Sequence, residues 1–144
     1  MMKRLDKAER VALWQAARQA REYSYCPYSG FAVGAALLCE EGTVVTGCNI
    51  ENAAFGPTIC AERTAVVKAV SEGRRSFRAI AIVGGPADGE LTECYPCGVC
   101  RQVLSEFVLP DRFEVICGSA EEDLKSLTIE ELLPHSFALR PEKE

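Results

Sequence analysis

The chain has 144 residues, 48% of them hydrophobic and 26% charged, with a net charge of -5 at pH 7. That size and balance predict a single globular domain over residues 1–144, with a core large enough to need no disulfides. An acidic chain with no Lys/Arg-rich block favours a small-molecule partner and argues against nucleic acid, whose binding rests on phosphate neutralisation. No segment reaches the ~20 apolar residues of a membrane helix, and the opening MMKRLDKAER is too charged for a signal peptide, so no membrane and a cytoplasmic address are expected.

Residues 5–22 read as an amphipathic helix, with Leu5, Ala8, Val11, Ala12 and Gln15 near one stripe. Pro27, Ser29 and Gly30 mark a turn. FAVGAALLC (31–39) predicts a buried strand, and TVVTGCNI, after a turn at Glu41-Gly42, its antiparallel partner. Residues 60–72 are rich in helix formers and stop at Gly73. RAIAIVGG predicts an inner strand. Pro96 introduces a second helix over 97–107, ended by Pro110. FEVICG is another strand, TIEELLP one or two helical turns, and the tail from about residue 139 is expected to be mobile. A hairpin followed by two strand–helix–strand crossovers predicts a three-layer α/β/α sandwich on a mixed sheet of about five strands.

Eight cysteines in a chain with no export signal do not suggest a disulfide framework. Cys39, Cys48 and Cys117 lie in or beside apolar runs and read as small buried hydrophobes, as does Cys26. Cys60, Cys94, Cys97 and Cys100 sit at turn or helix-start signals and ask for a chemical role.

The spacing supplies one. Cys97 and Cys100, at i and i+3 on a helix starting near Pro96, share a face and can chelate one ion. Cys60 opens the preceding helix, so two helix N-termini converge on the metal and lower the thiol pKa values. Three thiolates around Zn²⁺ leave the fourth position open for water, as in catalytic zinc sites. Glu62, beside the metal but not bound to it, can then take a proton from water and return it to a substrate nitrogen. Arg63 is placed to donate to thiolate sulfur and offset the excess negative charge. Cys94-x-x-Cys97-x-x-Cys100 with Cys60 also offers four thiolates, which could close a structural zinc site or hold an iron–sulfur cluster. His135 is the only histidine and is given a structural or surface role.

The segments FAVGAAL, NIENAAFGPTICAERTA, PCGVCRQ and ELLPHSF, in this order from about Tyr25 to Phe137, closely resemble the cytidine deaminase family, in its small three-cysteine branch. The resemblance implies one zinc per chain on Cys60, Cys97 and Cys100. It implies hydrolytic attack at C4 of the cytosine ring, with Glu62 protonating N3 and relaying a proton to the departing amine. It places Asn49 and Glu51 on the ribose hydroxyls, Phe31 against the nucleoside and the Ala61 N–H on the pyrimidine carbonyl. It also implies a homotetramer with active sites at subunit interfaces, Phe137 reaching into a neighbour, and a role in pyrimidine salvage. Phe55, where relatives often have Tyr, and Tyr95, preceded by Cys94, depart from the pattern. The alternatives are a deaminase of an aminopyrimidine nucleoside antibiotic and a non-catalytic four-cysteine metal module.

Overall fold

Near-continuous apolar runs build the centre of the molecule, and the computed structural model describes residues 3–139 of it. Phe31–Cys39 (β1) pairs antiparallel with Val44–Cys48 (β2) on one side and with Phe77–Pro86 (β3) on the other. Glu114–Cys117 (β4) adds to β3 in parallel, and Lys125–Thr128 (β5) closes the sheet antiparallel to β4. The order is β2-β1-β3-β4-β5, a mixed five-stranded sheet.

Side chains alternate across each strand, and both faces are buried. On one face Leu37, Ile80, Ile82 and Val115 meet the helices Ala61–Ser71 (α2), Gly98–Phe107 (α3) and Ile129–Leu132 (α4) through Val66, Leu104 and Ile129. On the other, Ala36, Ala79, Ala81, Val83 and Ile116 receive Lys7–Ala20 (α1) through Leu13, Trp14 and Ala17. This is the expected α/β/α sandwich. Each fully buried Leu or Ile contributes roughly 2 kcal/mol by area removed from water, so the sheet's two faces carry most of the stability.

The buried stripe of α1 differs from the one the periodicity predicts. Leu13, Trp14, Ala17 and Ala20 face the sheet, Val11 is half-buried, and Ala8, Ala12 and Gln15 are exposed. Trp14 sets the phase: it has far more apolar surface to bury than any alanine, and its indole N–H donates to the Gly118 carbonyl at 2.9 Å. Leu5 is buried, but it precedes the Asp6 cap and is held by another contact. Its N–H donates to Glu114 Oε2 at 2.8 Å.

β5 is the strand whose position the sequence conceals, since KSLT is short and only its last residue is buried. The expected tail falls, beyond Leu139, outside the described residues. Among the described residues no helix is long and apolar enough to cross a membrane.

Two close approaches fix the helices. A Cβ on Gly34 would lie 2.0 Å from the Ala17 carbonyl oxygen, and one on Gly47 would lie 2.5 Å from Ala65 N and 2.7 Å from the Ala61 carbonyl oxygen. Gly47 therefore seats the first turn of α2 directly on β2. At the other end, α2 stops where Gly73 takes φ +95° and Arg74 N–H reaches back to the Ala69 carbonyl at 3.0 Å.

The buried Glu114 carboxylate ties this frame to the N-terminal segment. Besides Leu5 N–H it accepts from Arg10 Nη2 at 3.0 Å and Ser126 Oγ at 2.8 Å. Arg10 is part-exposed, so removing the acid should cost less than a fully buried pair. Glu114→Ala is expected to lower unfolding free energy by roughly 2–4 kcal/mol in urea, with an unchanged m-value.

Candidate active site and metal centre

Both crossover helices begin with a cysteine. Cys60 is the extended N-cap residue of α2, and Cys97 that of α3, where its Sγ accepts from Cys100 N–H at 3.5 Å. Pro96 lies one residue before the cap, ahead of the helix as the sequence suggests. Arg101 braces that entry by donating through Nε to the Pro96 carbonyl (2.7 Å) and through Nη1 to the Leu132 carbonyl (2.8 Å).

The Sγ atoms of Cys60, Cys97 and Cys100 all lie within 4.8 Å of one another, and Cys60 and Cys97 are 3.9 Å apart. Tetrahedral Zn–S bonds of about 2.3 Å imply sulfur–sulfur edges of ~3.8 Å, so the corner fits one zinc per chain. Cys94 is not in this group among the described residues. Its sulfur packs above Gly84, where an added Cβ would lie 2.8 Å away. Burial pushes the Cys94 thiol up to about 12, with the Glu62 and Cys60 charges adding to the effect. A thiol so placed makes a poor fourth ligand.

Charge in the corner is shared unequally by the protein groups alone. A hydrogen bond from the Cys100 thiol, reinforced by the Arg63 guanidinium, brings Cys60 down to about 5. Cys100 is raised by the reciprocal interaction. Arg63 Nη2 donates to Cys60 Sγ at 3.2 Å, the contact expected from the sequence. Glu62, in the first turn of α2, is 4% exposed. Burial pushes its carboxyl up to about 7, against the pull of its own backbone N–H. A cation held by the thiols would act the other way and favour the ionised form.

Asn49 and Glu51 are brought next to this corner by backbone pairing. Ile50 exchanges two hydrogen bonds with Ile59, one residue before Cys60, while Tyr25 N–H meets the Asn49 carbonyl and Glu51 N–H the Tyr25 carbonyl. Ala61, buried, opens α2, where backbone N–H groups have no partner within the helix. Phe31 starts β1 with its ring edge over Gly84, the glycine that Cys94 also covers. Phe137 stands apart: it is 67% exposed, and its carbonyl accepts from Gln102 Nε2 at 3.2 Å.

Sequence reasoning missed the partners that hold these groups, chiefly Ser24, Ser29 and Arg101. Only Ser29 carried a signal, as a turn residue. The Tyr95 departure also gains an explanation. Its hydroxyl donates to Glu93, which pairs with Lys125 Nζ at 2.9 Å and ties the metal turn to β5. Phe55 is 95% exposed and has no role within the chain's own core.

A three-thiol corner with a buried acid beside it, on a mixed α/β sheet, fits the site of a zinc hydrolase. Residues 6–117 match the family described as the cytidine and deoxycytidylate deaminase zinc-binding region. A cytidine deaminase of Halalkalibacterium halodurans is 50% identical over 129 residues, 90% of this chain and 94% of that one. The crystal structure of cytidine deaminase from Burkholderia pseudomallei superposes with a TM-score of 0.79 at 45% identity, covering 88% of this chain and 97% of that one. That of cytidine deaminase from Mycobacterium tuberculosis gives 0.74 at 39% identity, covering 89% and 96%. The chain belongs to the cytidine and deoxycytidylate deaminase family of zinc-dependent hydrolytic deaminases.

Replacing Cys60, Cys97 or Cys100 singly by Ala is expected to abolish stoichiometric zinc in dialysed protein, measured by atomic emission. Cys94→Ala should retain about one zinc per chain.

Proposed function

We propose that the protein deaminates cytidine and 2′-deoxycytidine to uridine and 2′-deoxyuridine, consuming water and releasing ammonia. The observation that carries this reading is Glu62, a carboxylate 4% exposed in the helical turn that follows Cys60. A structural metal corner has no use for such a group, and burying it unpaired is costly. Zinc, when bound to Cys60, Cys97 and Cys100, supplies the Lewis acidity that makes water a nucleophile near neutral pH. Glu62 accepts a proton from the attacking water and delivers it to N3 as the oxygen adds to C4. It then takes the proton of the new C4 hydroxyl and gives it to the amino group, which leaves as ammonia while C4 becomes a carbonyl. Arg63 tempers the thiolate charge.

Recognition is assigned to Asn49 and Glu51 for the ribose hydroxyls, Phe31 for the nucleoside face and Ala61 N–H for the pyrimidine carbonyl. Phe137 is assigned to a neighbouring subunit's site in a homotetramer. Its 67% exposure supports this, as do the exposed Tyr25, Ile50 and Phe55 beside the Asn49–Glu51 segment. A free nucleoside as substrate suits pyrimidine salvage by a single-domain cytoplasmic enzyme.

Absorbance loss on conversion of cytidine, compared with CMP and an aminopyrimidine nucleoside antibiotic, is the direct assay. Free cytidine should turn over fastest, and no turnover of cytidine would defeat the reading. Glu62→Gln should keep its zinc and lose roughly 10³-fold or more in kcat. Light scattering should give a mass about four times the 15.7 kDa of one chain. Phe137→Ala should raise KM without releasing zinc.

A further inference from the structure

The two side chains assigned to the ribose are not free to choose their orientation. Asn49 Oδ1 accepts from Val33 N–H at 2.9 Å and from the Ser24 hydroxyl, while Asn49 Nδ2 donates to the Phe31 carbonyl at 2.8 Å. Both lone pairs of the amide oxygen are used, and one N–H remains. Glu51 Oε1 accepts from Tyr28 N–H (2.9 Å) and Ser29 N–H (3.0 Å), and Oε2 accepts from the Ser29 hydroxyl. Three of the carboxylate's roughly four acceptor sites are filled, and one, on Oε2, remains. The pair therefore offers a ribose one donor and one acceptor.

Ser29 is the hinge of this arrangement. Its Oγ donates to Glu51 and accepts from Phe31 N–H at 3.0 Å, so one hydroxyl links the carboxylate to the start of β1. The turn around it is held by Gly30, at φ +70°, whose N–H reaches the Cys26 carbonyl at 2.9 Å and whose carbonyl accepts from Ala87 N–H at 2.7 Å. Hydrogen bonds from Ser29, first through the hydroxyl, hold the Glu51 carboxyl below the usual carboxylate range. A cleft of about 240 Å³, lined by Tyr28, Ser29, Glu51, Asn52, Phe55 and Thr58, leaves the carboxylate open to a ligand. Without the hydroxyl, Oε1 would keep its two backbone bonds but Oε2 would lose its bond to Ser29, and its acceptor would be held less firmly for an incoming sugar.

We infer that Ser29 is a positioning residue for nucleoside recognition: it fixes Glu51 so that a single carboxylate oxygen is presented to a sugar hydroxyl. The inference rests on the reading above that Glu51 binds the ribose. The hydrogen bonds of Ser29 go to Glu51 and Phe31 and not to the metal corner, so its effect should appear in substrate binding and depend on the sugar.

The test measures KM and kcat for cytidine and 2′,3′-dideoxycytidine with the zinc-loaded parent, Ser29→Ala, Ser29→Thr, Glu51→Ala and the Ser29→Ala/Glu51→Ala double variant. For cytidine, Ser29→Ala should raise KM by about 5–20-fold while kcat changes less than ~3-fold. For dideoxycytidine the same substitution should change KM less than ~2-fold, because the hydroxyl that Glu51 would meet is gone. Ser29→Thr should restore KM, and Ser29→Ala should add nothing once Glu51 is Ala. An equal loss with both substrates, or additive losses in the double variant, would show a merely structural serine and overturn the inference. If Glu51→Ala leaves KM for cytidine unchanged, the ribose assignment itself fails, whatever Ser29 does.

Discussion

Three sulfur atoms within 4.8 Å of one another cannot all be ionised unless positive charge stands among them. Much of the architecture answers that demand. The strands β2, β3 and β4 run in one direction, so the helices that follow β2 and β3 both begin beyond the carboxyl ends of their strands. Their N-termini carry partial positive charge toward the same point, and each is capped by a cysteine of the three-thiol corner. Arg63 adds a full charge at 3.2 Å from Cys60 Sγ. A divalent ion completes the balance.

The same convergence gathers three cysteines and not four, which suits the proposed hydrolytic chemistry. Cys94, close in sequence, lies over Gly84 and outside the three-sulfur group, where burial raises its thiol pKa. Glu62 is buried in the first turn of α2, the helix whose start is seated on Gly47. Cys60 and Glu62 therefore share the start of one helix, Cys97 and Cys100 come from the start of α3 braced by Arg101, and the groups assigned to the sugar come from separate loops stitched together through Tyr25, Ile50 and Ile59. The groups proposed for the chemistry sit on helix starts, and those proposed for recognition on braced loops.

Strong local signals made most of this legible in the sequence. FAVGAALLC forms β1 over the predicted residues, and Cys60, Cys97 and Cys100 meet as their spacing predicts. Arg63 reaches the sulfur expected of it. The phase of α1 was misread because alanine-rich repeats at helical spacing look apolar, while the burial is decided by Trp14 and Leu13, which reach a sheet the sequence does not display. β5 escaped because an edge strand with a charged first residue carries little hydrophobic pattern. Ser24 and Arg101 were invisible, and Ser29 showed only as a turn residue, for another reason. Their roles are hydrogen bonds to side chains or carbonyls that only the folded chain brings near, and no spacing rule encodes them.

The number of sulfur ligands on the metal is the quantity on which the open, catalytic character of the site turns. X-ray absorption at the zinc edge of the loaded protein counts them directly. Three sulfur neighbours at about 2.3 Å and one oxygen neighbour are predicted by the Cys60, Cys97 and Cys100 corner. Four sulfur neighbours would bring Cys94 onto the metal, close the position that water needs, and contradict the assignment of a hydrolytic centre.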